Sequence, residues 1–147
     1  MTRKIIYSLL FSRPLFEYAV TVNNQKHIDV LIIGDNDTVL EAFKAVYWCC
    51  QMSDDYYTSI TLASSSSVGL KKKLYDKMPA LKDSLVSTNT QFIEYDSIDK
   101  SLIDKNKYVF LSDDIDQGQN AFISLFEETC DPHTKRLLCV FGSGLQS

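Results

Sequence analysis

The residues best suited to chemistry stand where apolar runs stop. Gly34, Asp35, Asn36, Asp37 and Thr38 follow the run HIDVLII and precede a segment of helical spacing that opens at Val39. A glycine turn leading from a strand into a helix suits an anion, because the strand ends at a crevice and the helix aims its first N–H groups into it. Ser64 and Ser65 close the next β-branched run, TSITLA; Asp96 and Ser97 follow TQFIEY; Ser112 and Asp113 follow YVFL; and Gly142-Ser143-Gly144 follows RLLCVF. If these runs are parallel neighbours, their carboxyl ends share one edge and the polar residues converge there. That edge is the default ligand position of an open α/β sheet.

Catalysis finds no constellation. His27 precedes the first of these strands and His133 sits in the Asp131-Pro132 turn, with no third ligand at metal spacing and no Ser or Cys nucleophile motif. The expected catalytic and metal residues are therefore none. Asp35 and Asp37 together offer hard oxygen ligands for Mg²⁺, as in a response-regulator receiver. A receiver also needs a phospho-acceptor Asp ending the third strand and a Lys ending the fifth. Asp96 has an unusual spacing for the first, and Gly142-Ser143 stands in place of the second.

The four cysteines, the pair Cys49-Cys50 and the singletons Cys130 and Cys139, have neither C-x-x-C spacing nor the density of a disulfide scaffold, so buried reduced thiols are expected in a cytoplasmic protein. At 147 residues and 45% hydrophobic content, the chain suits one domain with a sizeable core. A net charge of -4 excludes a phosphate-tracking nucleic-acid surface. The one basic run, Lys71 to Lys73, reads as a solvated helix face. Arg3 and Lys4 before IIYSLLF imitate a secretion signal, but the apolar run is short and Arg13-Pro14 follows it with no small-residue cleavage site. The same run is too short to span a membrane, so no membrane insertion is expected.

The elements that must position the polar ends can be read in order. Lys4 to Phe11 is apolar and of undecided type. Phe16 to Val22 alternates as a strand does, and Asn23-Asn24-Gln25-Lys26 is turn chemistry leading into the strand at Ile28, which predicts a hairpin. Thr38 and Glu41 have capping-box spacing, and Val39, Phe43, Val46, Tyr47 and Cys50 form one buried helical stripe. Trp48 beside them is expected in the core as well. Asp54-Asp55 lies in the connection to the second strand, Thr58 to Ala63. A cap at Ser66 or Ser67 opens a helix with the stripe Leu70, Leu74, Met78 and Leu81, reaching towards Lys82 although Pro79 should kink or end it. Thr90 to Tyr95 is the third strand, Ile98 to Lys107 a short helical turn, Tyr108 to Leu111 the fourth strand, Asp116 to Thr129 a helix broken by Asp131-Pro132, and Arg136 to Phe141 the fifth strand. The fold class that follows is α/β and three-layered, with a mainly parallel sheet of five or more strands and an added N-terminal hairpin strand.

The order of these elements resembles the nucleotide-binding domains of potassium-transport regulators, the TrkA N-terminal or RCK type of Rossmann domain. Over Ile28 to Gly142, VLIIGDNDTV stands where that family has a strand and G-x-G-x-x-G. FIEYDS resembles its third strand with a following Asp, and YVFLSDDIDQGQN its fourth strand with an acidic loop and a helix-opening Asn. A Rossmann-like domain is expected over 27–147, preceded by an extension and hairpin strand over 1–26, and Gly142-Ser143-Gly144 near a strand end, where doubly wound domains continue with a further helix and strand, leads to the expectation of a longer protein.

The resemblance also implies NAD(P) or another adenine nucleotide as ligand. Gly34 matches the first fingerprint glycine; Asn36 falls at the second and Val39 at the third. Asp35 and Asp37 place carboxylates at the helix N-terminus, where they would repel a phosphate by about 1 kcal/mol or more each if ionised and partly buried. Gly34 to Thr38 would meet the phosphates, Ser64 and Ser65 the ribose, Asp96 and Ser97 the adenine, and Ser112 and Asp113 the inner cleft. The second strand ends in Ala63-Ser64 instead of a ribose-binding acid, and serines with Lys71 or Lys72 nearby would instead suit a 2′-phosphate. The function expected is a nucleotide-binding regulatory or sensor domain without catalysis of its own. The alternative is a degenerate domain of the same fold used for partner docking or dimerisation, with a homodimer or a downstream domain as partner.

Overall fold

The computed structural model describes residues 2–50, 56–79, 90–112, 119–129 and 135–141 of the chain. The expectations for Asp54-Asp55, Leu81, Lys82, Asp113, Cys130, Asp131-Pro132, His133 and Gly142-Ser143-Gly144 lie outside these residues.

The first helix, α1, covers Thr2–Ser12 and settles the undecided apolar segment. Ile6 and Leu10, four residues apart, are both buried and join the core, whereas Tyr7 and Phe11 share the outward stripe. The expected strand from Phe16 to Val22 is shorter. A 3-10 turn spans Leu15–Tyr18, and strand β1 spans only Val20–Val22. Pro14 at φ -61 opens that turn, and Leu15 and Tyr18 are buried at a three-residue spacing that a 3-10 turn brings to one side. The hairpin stands as expected. Asn23 and Asn24 take φ of 53 and 66, the left-handed pair that a two-residue turn needs, and β1 pairs antiparallel with β2, Gln25–Ile33.

Helix α2 spans Asp37–Cys50, strand β3 Tyr56–Ser64, helix α3 Ser67–Lys77 and strand β4 Thr90–Glu94. The remaining elements are α4 at Lys100–Lys105, β5 at Tyr108–Ser112, α5 at Gln119–Thr129 and β6 at Leu137–Phe141. The helix in the second crossover stops before Pro79, with Met78 as its C-cap. Ser66 is the cap of α3, its hydroxyl accepting from Gly69 N–H at 3.1 Å. Ser66→Ala should cost about 1 kcal/mol, read as a lower urea midpoint, because an orphan helix donor loses its partner.

The six strands form one sheet in the order β4-β3-β2-β5-β6, parallel throughout, with β1 the antiparallel exception. Numbered by parallel strands alone, the order is third, second, first, fourth, fifth. The chain therefore reverses direction between β2 and β5, and the crevice of such a sheet opens there. Successive residues of β2 explain its unbroken apolar run. Val30 and Ile32 pack with α1, α2 and α3, whereas Leu31 and Ile33 pack with Ile103 of α4 and Phe122 and Phe126 of α5. A strand buried on both faces has no polar side to show. The result is a three-layer, Rossmann-like α/β fold.

Two anchors tie the periphery to this core. The Tyr108 hydroxyl, on the central strand β5, donates to the Arg13 carbonyl at 2.8 Å and fixes the chain leaving α1. The Arg136 guanidinium, 2% exposed, donates to the Ile103 and Asp104 carbonyls and to the Asp104 carboxylate at 2.7 Å, and so serves the carbonyl end of α4. Trp48 departs from its expected place in the core: it is 52% exposed, edge-on to buried Tyr47. Among the described residues no helix is long and apolar enough to cross a membrane.

Candidate functional site

The carboxyl edge of the sheet is built around Gly34, the first residue after β2. Its φ of +144 is open to glycine and strained for other residues. A β-carbon there would stand 2.5 Å from Ser112 Cβ and 2.7 Å from Val39 Cγ2. The glycine thus lets the end of β5 and the first turn of α2 close on the end of β2. Its N–H donates to the Ala63 carbonyl at 2.9 Å, extending the ladder to β3 by one bond.

The turn that follows is held by its own side chains. One Asp35 carboxylate oxygen accepts from Ser65 N–H at 3.0 Å, and the other from the Tyr95 hydroxyl at 2.8 Å. This half-buried acid therefore joins the ends of β2, β3 and β4. Asn36 caps α2: its side-chain oxygen accepts from Val39 N–H at 3.3 Å. The expected cap at Thr38 is corrected by this contact, since the helix already begins at Asp37 and Thr38 lies inside its first turn. Asp37 projects into solvent and meets Lys77 Nζ at 3.2 Å and Lys73 Nζ at 3.4 Å. The hydrogen bond from Lys77, with the charges of both lysines, holds the Asp37 carboxyl below its ordinary range. Lys73 also donates to the Asp35 carbonyl at 3.3 Å.

The other expected site residues distribute unevenly along this edge. Ser65 is exposed on the lip, whereas Ser64 is wholly buried, its hydroxyl without a hydrogen-bond partner among the described residues. Asp96 and Ser97 stand exposed in the 3-10 turn Tyr95–Ser97. From this segment it is Tyr95 that reaches the β2–α2 turn. Ser112 is buried against Gly34. Sequence spacing also missed Glu94, whose carboxylate accepts from both the backbone N–H and the hydroxyl of Ser67 at 3.2 Å and so closes the first turn of α3. Lysines do reach the edge, but they are Lys73 and Lys77. Lys71 instead lies over the rings of Tyr75 and Phe92. The four-residue spacing of Lys73 and Lys77, which puts both on one face of α3, is the signal that would have found them.

The donors and side chains of this turn are engaged with one another. Gly34 N–H is committed to Ala63, Asn36 lies over the start of α2, and the Asp35 carboxylate sits on Ser65 N–H. What the edge can offer an anion is two ammonium groups, now shared with Asp37, beside a helix N-terminus. Nucleophilic chemistry has no support among the described residues. Cys49 and Cys139 carry free thiols, and burial pushes the first above its ordinary range and the second to about 11, so both are protonated at neutral pH. No group of three or more metal-ligating side chains occurs among the described residues. A scan against family models matches none, and a search of curated proteins returns no match.

Proposed function

We propose that the chain is a non-catalytic regulatory domain of Rossmann type that holds a phosphorylated adenine nucleotide at the carboxyl edge, chiefly by the lysines of α3. The observation that carries this reading is the approach of Lys73 and Lys77 to one carboxylate, Asp37, at the first turn of α2. A phosphate exchanging with Asp37 would keep both cations and gain the dipole of α2. Helix α2 follows β2, one of the two strands that flank the reversal of strand order, and its first turn lies at the carboxyl edge, which supports a ligand there. NAD(P) is accommodated in this reading only if the Asp35 contacts open. AMP and ATP ask less of the turn.

A second reading has its own observation. The bonds from Ser65 and Tyr95 to Asp35 leave the turn satisfied without any ligand. On this reading the fold is kept as a docking or dimerisation module, and the resemblance to the potassium-regulator domains is one of architecture alone.

Calorimetry and thermal shift across NAD⁺, NADH, NADP⁺, ATP and AMP separate the two. The nucleotide reading expects heat with at least one of them, its loss in the double variant Lys73→Ala and Lys77→Ala, and tighter binding in Asp37→Asn. Asn36→Gly should also tighten binding, at a stability cost of only a few tenths of a kcal/mol, since glycine is a tolerable N-cap. Silence across the panel in both measurements would leave the docking reading standing.

A further inference from the structure

The opposite end of the sheet carries a second concavity, independent of the carboxyl edge. There β2 and β3 run past the cover of α4 and α5, and a groove of about 520 Å³ opens between the β1 hairpin strand and the segment that joins α4 to β5. That volume lies within the range of small-molecule sites, roughly 300–1,000 Å³. Its floor is made by cross-strand pairs. His27 opposes Tyr57, with the rings stacked at 5.3 Å, and Asp29 opposes Ser59. Val20 and Val22, both partly exposed, form one wall, and Lys105 stands on the other.

Asp29 is the unusual group. It sits in the middle of the first parallel strand, and its side chain is only 14% exposed. The one ion pair it makes among the described residues is with Lys105 Nζ at 4.0 Å, too long for a hydrogen bond. Lys107, by contrast, is engaged by Asp104, which Arg136 also holds. Burial raises the Asp29 carboxyl above its ordinary range, against the opposing pull of Lys105, His27 and Lys107. Half-buried carboxylates in clefts that are held this loosely are suited to binding.

The geometry points to a binding site for a free α-amino acid with an apolar side chain, its ammonium on Asp29, its carboxylate on Lys105 and its side chain against Val20 and Val22. An ammonium has the donors that Asp29 lacks among the described residues, and it brings them with a compensating charge. The two charged groups of the ligand share one carbon, and the two protein charges lie 4.0 Å apart, so both can be met at once. Tyr57, 53% exposed, presents a ring on which the ammonium or an apolar side chain can rest. A peptide N-terminus would satisfy Asp29 but has no carboxylate beside it for Lys105.

Isothermal titration of the full chain with L-leucine, leucinamide and 4-methylpentanoate tests each half of the site. Leucine should bind, with leucinamide and 4-methylpentanoate each weaker by about tenfold or more, as each lacks one charged contact. Asp29→Asn and Lys105→Gln should each weaken leucine by a similar factor. Asp29→Asn removes a desolvated charge and Lys105 is 61% exposed, so neither should lower the urea midpoint, and lost heat is then not lost folding. The proposal is overturned if leucine gives no heat at millimolar concentration, if leucinamide binds as tightly as leucine, or if both variants bind like the parent. None of these outcomes bears on the lysines of α3, whose ligand panel is separate.

Discussion

Gly34→Ala should cost roughly 2–6 kcal/mol, a large fraction of the stability of an ordinary domain, and in the least stable background should leave no folded protein. Two contributions of about 1–3 kcal/mol each make up that figure. One is the backbone at φ +144, which alanine adopts only under strain. The other is overpacking, with the new methyl at 2.5 Å from Ser112 and 2.7 Å from Val39 in a region where neither neighbour is exposed. Urea denaturation measures the sum. Adding Ser112→Gly should recover part of the packing loss and none of the backbone strain. An alanine variant as stable as the parent would mean that the ends of β2 and β5 and the start of α2 do not meet in this way.

The second large effect belongs to Asp35. Asp35→Ala removes the acceptor of two hydrogen bonds that join three strand ends and should destabilise by about 1–3 kcal/mol, since each such bond is worth about 0.5–1.5 kcal/mol net. Tyr95→Phe removes one of the two and should cost about 1 kcal/mol, with the double variant short of the sum because the sites share a partner. The same change discriminates between the two functional readings. It takes a carboxylate away from the turn beside the lysines of α3 and leaves Ser65 N–H without this acceptor. Nucleotide affinity should rise in Asp35→Ala if the edge holds a ligand, and no binding should emerge if the turn serves only to close the fold.

Those contacts show where sequence reasoning reaches its limit. Every parallel strand was legible, because an apolar run such as VLII between turn residues is a local pattern with a local cause. The hairpin was legible from Asn23-Asn24, and the start of α3 from the serine run. Helix α1 was not, since Ile6, Leu9 and Leu10 stand in a short apolar run whose pattern does not separate a helix from a buried strand. The 3-10 turn at Leu15–Tyr18 was hidden by alternation that a strand would share. Within the site, Gly34 and its turn were found, but the group that meets them, Tyr95, lies 60 residues from Asp35. No period links the two, and only the pairing of β4 with β3 and of β3 with β2 brings them together. Lys73 was visible within the basic run Lys71 to Lys73, read as a solvated face, and Lys77 was not singled out. Their role as partners of Asp37 depends on where α3 comes to rest.

The position of Trp48 determines what the chain can report about itself. It is the single tryptophan, already half in water on the native outer face of α2. Unfolding therefore changes its surroundings less than it would for a core indole, and an emission-wavelength melt would understate the transition that circular dichroism follows. It stands eleven residues along the helix from Asp37, roughly 16 Å at 1.5 Å per residue, so ligand exchange at the carboxyl edge should be nearly silent in emission. A second protein settling over α2 would shift the same emission to the blue. The indole thus acts as a native optical gauge for contacts on that face, and an unchanged spectrum on adding a small ligand is compatible with a filled site as much as with an empty one.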